Sequence, residues 1–180
     1  LGIGGVKLLR ALGEEPAVFH MNEGHAAFLA LELIREKMAN GANFDAAIDT
    51  TREQCIFTTH TPVPAGHDRF PPELMSYSLS RYEKHLELSR ENLMALGRLD
   101  AGNHNESFCM TVLALNSARA ANGVSELHGE VSRDMWREKY GTAVDEAPIG
   151  HVTNGVHLLG WMSRSARRFW QPRGLDDRPF

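Results

Sequence analysis

A short apolar run that breaks off into polar residues, and recurs in kind, restricts this chain more than any other feature. "PAVFHM" runs into "NEGH", "CIFTTH" runs into "TPVP", and "IGHVTNGVH" turns polar within a few residues. Bounded runs of this length read as buried strands. Between the first two lie segments of helical composition. Glu23 to Met38, "EGHAAFLALELIREKM", is rich in strong helix formers with Asn22 placed as an N-cap, and "NFDAAIDTTREQ" supplies a second helix. Strand, helix, helix, strand predicts an α/β unit with a parallel sheet.

The remaining segments read less distinctly. "GIGGVKLLRALG" spaces Val6, Leu8, Leu9 and Leu12 as a helix that Gly13 can stop. "TPVPAGHDRFPPE" carries Pro62, Pro64, Pro71, Pro72 and Gly66, so it reads as a loop of restricted geometry. Residues 71–94 are predicted mostly helical, and "RLDAGNHNE" is a polar connection. "SFCMTVLALNSARAANG" reads as one buried helix with Asn122 and Gly123 as its C-cap. "VSELHGEVSRDMWREKYG" is a further helix opened by Ser125, and "IGHVTNGVH" is a third strand running into a turn.

Composition narrows the classes. The 180 residues suit one domain, or a large piece of a bigger one. The chain starts at Leu1 with a periodic segment and stops at "LDDRPF", so a fragment of a longer protein is expected. A net charge of −4 argues against nucleic acid or an anionic membrane as partner. No apolar run approaches the roughly 20 residues of a bilayer span, and Lys7, Arg10, Glu14 and Glu15 break up any signal peptide. Cys55 and Cys109 sit in separate apolar runs and are expected to be buried free thiols, which suits the cytoplasm.

"FHMNEGHAAF" invites a metal reading through His20, Glu23 and His25. Histidines five apart on a helix stand about 140° apart and cannot share an ion. His20 is instead expected to be structural, the last residue of a strand. "GIGG" lacks the strand and spacing of a phosphate loop, so helix packing is its expected role. Position is more informative: ligands in open parallel sheets bind beyond the carboxyl ends of the strands. "HMNEGH", "TTHTPVP" and "TNGVH" occupy three such places. Their Asn, Glu, His and Thr side chains recognise hydroxyl groups, which suits a sugar better than a charged metabolite. His128 reads equally well as a core histidine or a functional one, His85 and His104 as surface residues, and Trp161 and Trp170 as packing anchors.

Four blocks, "FHMNEGHAAF", "TTHTPVPAGHDRF", "ANGVSELHGEVSRDMW" and "HVTNGVH…W", follow one another in an order that resembles the α-glucan (glycogen, starch and maltodextrin) phosphorylases, particularly their short bacterial form. The likeness runs from about Leu1 to Trp161. It implies part of a glycosyltransferase-B type domain: Rossmann-like α/β, helix-rich, a parallel sheet with helices on both faces. Residues 1–155 would be the latter part of the N-terminal cleft domain, and 156–180 the crossing toward a C-terminal cofactor domain outside this chain.

The resemblance also implies a reaction. An α-1,4-glucan and inorganic phosphate would give glucose 1-phosphate with retained anomeric configuration. The cofactor would be pyridoxal phosphate, its lysine outside this chain, and the full-length protein could be a homo-oligomer. His60 is similar to the histidine that contacts the glucose 6-hydroxyl and places its carbonyl near the anomeric centre, which makes it the catalytic candidate. Asn154 resembles the asparagine that holds the same hydroxyl. Glu23, with His25 and Thr61, would line the pocket beside the anomeric carbon. Glu23 and Gly24 stand where animal and plant enzymes have Asp and Thr, and "HLLGW" departs from the usual proline or threonine before the Trp. Alone, the 180 residues are expected neither to hold the cofactor nor to turn over. Two other readings remain: a non-catalytic carbohydrate-binding module of the same fold, and a metal-dependent hydrolase on His20, Glu23 and His25.

Overall fold

The computed structural model describes residues 1–173; "LDDRPF" and the end of the expected crossing lie outside the described residues. Four parallel strands form the central sheet: β1 (Phe19–Asn22), β2 (Cys55–Thr59), β5 (Ala120–Gly123) and β6 (Ile149–His151), in the order β1-β2-β5-β6. Two shorter strands, β3 (Arg69–Phe70) and β4 (Phe108–Cys109), pair antiparallel beside it. Helices flank this sheet: α1 (Gly2–Ala11), α2 (Leu29–Ala39), α3 (Phe44–Gln54), α4 (Pro72–His85), α5 (Arg90–Ala95), α6 (Met110–Asn116) and α7 (Glu126–Tyr140), followed by the short α8 (Leu158–Trp161) and α9 (Arg164–Trp170). The expected parallel α/β architecture is the observed one.

Local chemistry accounts for most boundaries. Gly13, at a φ of +75°, ends α1 while Glu14 N–H reaches back to Leu9 O at 2.9 Å, a Schellman arrangement. Asn43 caps α3 through Ala46 N–H at 2.9 Å, and Ser125 caps α7 through His128 N–H at 3.1 Å. Pro71 and Pro72 open α4, as helices accept proline in the first turn. The long helical stretch then breaks at Glu87, whose φ is +53°, before α5 begins.

Three expectations are corrected. The helix from Glu23 begins as a single 3-10 turn (Gly24–Ala26), with α2 proper starting at Leu29. Asn22 is a strand residue, and the cap is Glu23, whose carboxylate accepts Gly24 N–H at 3.1 Å. The single buried helix over "SFCMTVLALNSARAANG" is three elements, β4, α6 and β5. Asn122 and Gly123, expected as a C-cap, lie in a central strand with partners on both sides. Small residues hide that strand, because Ala120, Ala121 and Gly123 carry no β-branched signal. Trp161, 85% exposed, and Trp170 anchor no core among the described residues.

The core sits between β1, β2 and the helices, around Met21, Phe57, Phe108, Leu31, Leu33 and Leu113. Cys55 and Cys109 are buried and free, and burial pushes the Cys55 thiol up to about 11. Glu32 is fully buried in α2, held by Arg35 at 2.8 Å and by the Tyr82 hydroxyl of α4. Gly97 lies flat on Phe108, where a Cβ would come within 2.6 Å of the ring. Among the described residues no helix is long and apolar enough to cross a membrane.

The two edges of the sheet differ in character. Near the amino ends of the strands, the carboxyl end of α6 is met by cations from the last turns of α3 and α7. Arg52 Nε donates to Asn116 O at 3.0 Å and Lys139 to the Asn116 side chain. The carboxyl edge gathers "NEGH", "THTPVP" and "TNGVH".

Candidate functional site at the carboxyl edge of the sheet

β1 buries Phe19 and Met21 and exposes His20 and Asn22 on the opposite face. That exposed face carries a row of polar side chains across three strands. His20 Nε2 lies 2.8 Å from Thr58 Oγ1, the Thr58 hydroxyl donates to Asn122 Oδ1 at 3.0 Å, and Asn122 Nδ2 donates to Gly123 O at 3.0 Å. Thr58 spends its only proton on Asn122, so His20 donates from Nε2. His20 is thus the second residue of β1, not its last, and begins this row.

Where β1 ends, the chain turns sharply. Glu23 has φ 76° and ψ 163°, a conformation that side-chain-bearing residues rarely adopt. Its carboxylate secures the turn. Oε1 accepts the backbone N–H of His60, the Thr61 hydroxyl at 3.2 Å and the Thr59 hydroxyl at 3.4 Å; Oε2 accepts Gly24 N–H. Burial opposes ionisation here. The His60 and Gly24 N–H groups, the Thr61 hydroxyl and the nearby His67 outweigh it and hold the Glu23 pKa below its usual value. A carboxylate has about four acceptor positions, two on each oxygen; three donors gather on Oε1 and Gly24 N–H takes one on Oε2, which can accept once more. The loops after β1 and β2 are therefore tied together through Glu23.

An open cleft of about 730 Å³ lies over this junction, within the range of small-molecule sites. One wall is apolar, from α1 and the entry to β1 (Leu8, Leu9, Val18), and the rim is polar, from His20, Asn22, Glu23, His25 and His60. Glu23, His25 and His60 thus come together, with Thr61 bonded behind them. Asn154 does not line this cleft. It sits at the same edge after β6, its N–H donating to Val124 O at 3.0 Å. β2 and β6 are two strand spacings apart in the sheet order, so the residues that follow them stand about 10 Å apart across the edge. Among the described residues no lysine or arginine lines the cleft, and no cluster of three or more His, Cys, Asp or Glu could hold a metal.

Three residues here escaped sequence reasoning. Asn22 faces the cleft; the alternation Phe19-His20-Met21-Asn22 places it beside His20. His67 and Thr111 are buried and share a 2.8 Å hydrogen bond, and no spacing joins them. Gly24 also gains a reason: a Cβ there would lie 3.0 Å from Thr111 Oγ1, so a side chain such as the threonine of the animal and plant pattern would need Thr111 to give way by a few tenths of an ångström. His128, read two ways from sequence, is buried with Nδ1 accepting Val124 N–H at 3.3 Å.

A parallel α/β sheet with an open, polar-rimmed cleft at its carboxyl edge defines the structural class. The carbohydrate phosphorylase family model matches residues 7–171, and the chain belongs to that family. It is 43% identical over 169 residues to the maltodextrin phosphorylase of Thermococcus litoralis, covering 93% of this chain and 20% of that protein. It is 46% identical over 173 residues to the glycogen phosphorylase of Mycobacterium tuberculosis, covering 89% and 20%. The muscle glycogen phosphorylase of Rattus norvegicus is 25% identical over 167 residues, covering 82% and 19%. The chain therefore spans about a fifth of the length of these relatives.

Proposed function

We propose that this chain forms one wall of the catalytic cleft of an α-1,4-glucan phosphorylase, which releases glucose 1-phosphate from glycogen, starch or maltodextrin with inorganic phosphate and retention of configuration. The observation that carries the reading is the Glu23 clamp, which fixes the backbone of His60 at the mouth of a cleft rimmed by polar, hydroxyl-binding groups. The names and extent of the matched relatives support it.

In this reading His60 presents its imidazole to the glucosyl 6-hydroxyl and its carbonyl toward the anomeric carbon. Asn154 approaches the same hydroxyl from β6. His25 closes the rim beside the anomeric carbon. Glu23 places His60 and Thr61 and, with a position on Oε2 still open, lines the pocket beside the anomeric carbon. Residues 1–155 belong to the first domain and 156–180 lead toward a second. The cofactor of the reading, pyridoxal phosphate, would supply a phosphate that exchanges a proton with the substrate phosphate. Among the described residues the cleft offers neither lysine nor arginine to such a group; in this reading its holding residues, and those for inorganic phosphate, lie in a segment outside this chain. The 180 residues alone are then inactive, because transition-state binding needs both walls of the cleft.

The test is phosphate-dependent release of glucose 1-phosphate from maltoheptaose by the full-length polypeptide, lost in His60→Ala. Release of free glucose without phosphate would overturn the reading.

A further inference from the structure

Two loops leave the carboxyl edge side by side, and both rest on the first turn of α6. After β1, Gly24 packs so tightly on Thr111 that an added Cβ would lie 3.0 Å from its hydroxyl and 3.3 Å from its backbone nitrogen. After β2, the Asp68 carbonyl accepts Met110 N–H at 3.0 Å, and Arg69 and Phe70 pair with β4. Between these ties stands His67, 6% exposed, with Nδ1 2.8 Å from Thr111 Oγ1 and Nε2 3.2 Å from Met135 Sδ. Its ring meets Trp136 edge-on at 4.9 Å. A thioether only accepts, so Nε2 carries the proton and Nδ1 accepts from the Thr111 hydroxyl.

These contacts close a ring. Glu23 holds His60 and Thr61; the loop runs on to His67; His67 holds Thr111; and Thr111 abuts Gly24, the neighbour of Glu23. Neither His67 nor Thr111 lines the cleft. We infer that His67 and Thr111 are a positioning pair, which fixes how far His60 stands from the Glu23–His25 turn. The consequence for glucan turnover rests on the phosphorylase reading, and the consequence for the His60 backbone does not.

Packing alone is the competing role, since His67 also fills space between Trp136 and Met135. The two roles separate by substitution. Asn puts a polar atom where Nδ1 stands, and Gln puts one where Nε2 stands. Thr111→Val removes the hydroxyl with its shape retained, and so probes the same bond without disturbing the ring.

The measurement is amide hydrogen exchange on the full-length polypeptide, comparing His60 N–H with Phe57 N–H inside β2. In His67→Gln and Thr111→Val, exchange at His60 should quicken about tenfold relative to Phe57, while His67→Asn keeps it within about threefold of wild type. Equal behaviour of the Asn and Gln variants, or equal acceleration at His60 and Phe57, would overturn the positioning role. In the full-length enzyme, His67→Gln should lower kcat more than it raises KM for maltodextrin, and His67→Asn should restore kcat. If the full-length protein showed no phosphorolysis while the exchange pattern held, the positioning role would stand and the functional reading would fall.

Discussion

Glu23 and His60 lie in different loops, yet the carboxylate of one accepts the backbone N–H of the other. The strained turn after β1 is thus part of what locates the residue after β2.

Replacing Glu23 separates strain from bonding. Glu23→Ala strands the His60 and Gly24 N–H groups and keeps the backbone at φ 76°. Lost bonds to a charged acceptor cost about 1.5–3 kcal/mol. Glu23→Gly loses the same bonds but relieves a conformation worth about 1–3 kcal/mol. Urea unfolding should therefore rank wild type first, the glycine variant second and the alanine variant last.

Acid should weaken this chain in two stages. His67 has its pKa lowered from 6.5, chiefly by burial, so it stays neutral when folded while the unfolded chain takes up a proton. Its contribution is present above pH 6.5 and is lost as pH falls from there toward the lowered value. Glu23, lowered from 4.5, adds a loss of the same sign below that pH. Melting temperature measured from pH 8 down to about pH 3 should fall on acidification. His67→Asn should flatten the upper stage, and a flat wild-type profile would contradict both assignments.

The glycines of "GIGG" should respond in opposite directions. At Gly2 a Cβ would come within 2.5 Å of Leu29 N and 2.7 Å of Ala26 O, both backbone atoms, while Gly4 has open space. Gly2→Ala should destabilise by about 1–3 kcal/mol, as overpacking does. Gly4→Ala, in a helix, should stabilise by about 0.5–1 kcal/mol. Chemical denaturation of the two variants checks both signs.

Tyr82→Phe removes a hydroxyl from the buried Glu32 carboxylate and leaves Arg35 as its partner. A loss of about 1.5–3 kcal/mol is expected. A variant as stable as wild type, by thermal melting, would show that Arg35 alone satisfies the carboxylate.

The sheet was legible in the sequence where strands are β-branched or aromatic, as at Phe57 and Ile149, and where caps are polar, as at Ser125. It was illegible at Ala120 to Gly123, where small side chains imitate the end of a helix. The cleft was legible through its position: polar clusters after apolar runs place Glu23, His25 and His60 together because the strands are parallel. The support beneath it was not. His67, Thr111 and Gly24 meet through tertiary packing alone, and nothing in their spacing announces it. Glu23 read as a group facing the ligand; the folded chain keeps it on the rim of the cleft and also ties its carboxylate to the backbone of the next loop, a second use that spacing does not announce.

The polar row on the sheet also bears on the order of folding. The His20–Thr58 bond spans 38 residues and the Thr58–Asn122 bond spans 64. Closing the longer loop costs more entropy, and distant pairings form late. A nascent chain that has emerged only as far as α6 could already join β1 to β2 and set the Glu23 clamp, with His60 in place. It would lack β5, and Thr58 would have no Asn122 to receive its proton. The polar row on the sheet is then completed after the cleft itself, from a strand made of little more than alanine, asparagine and glycine.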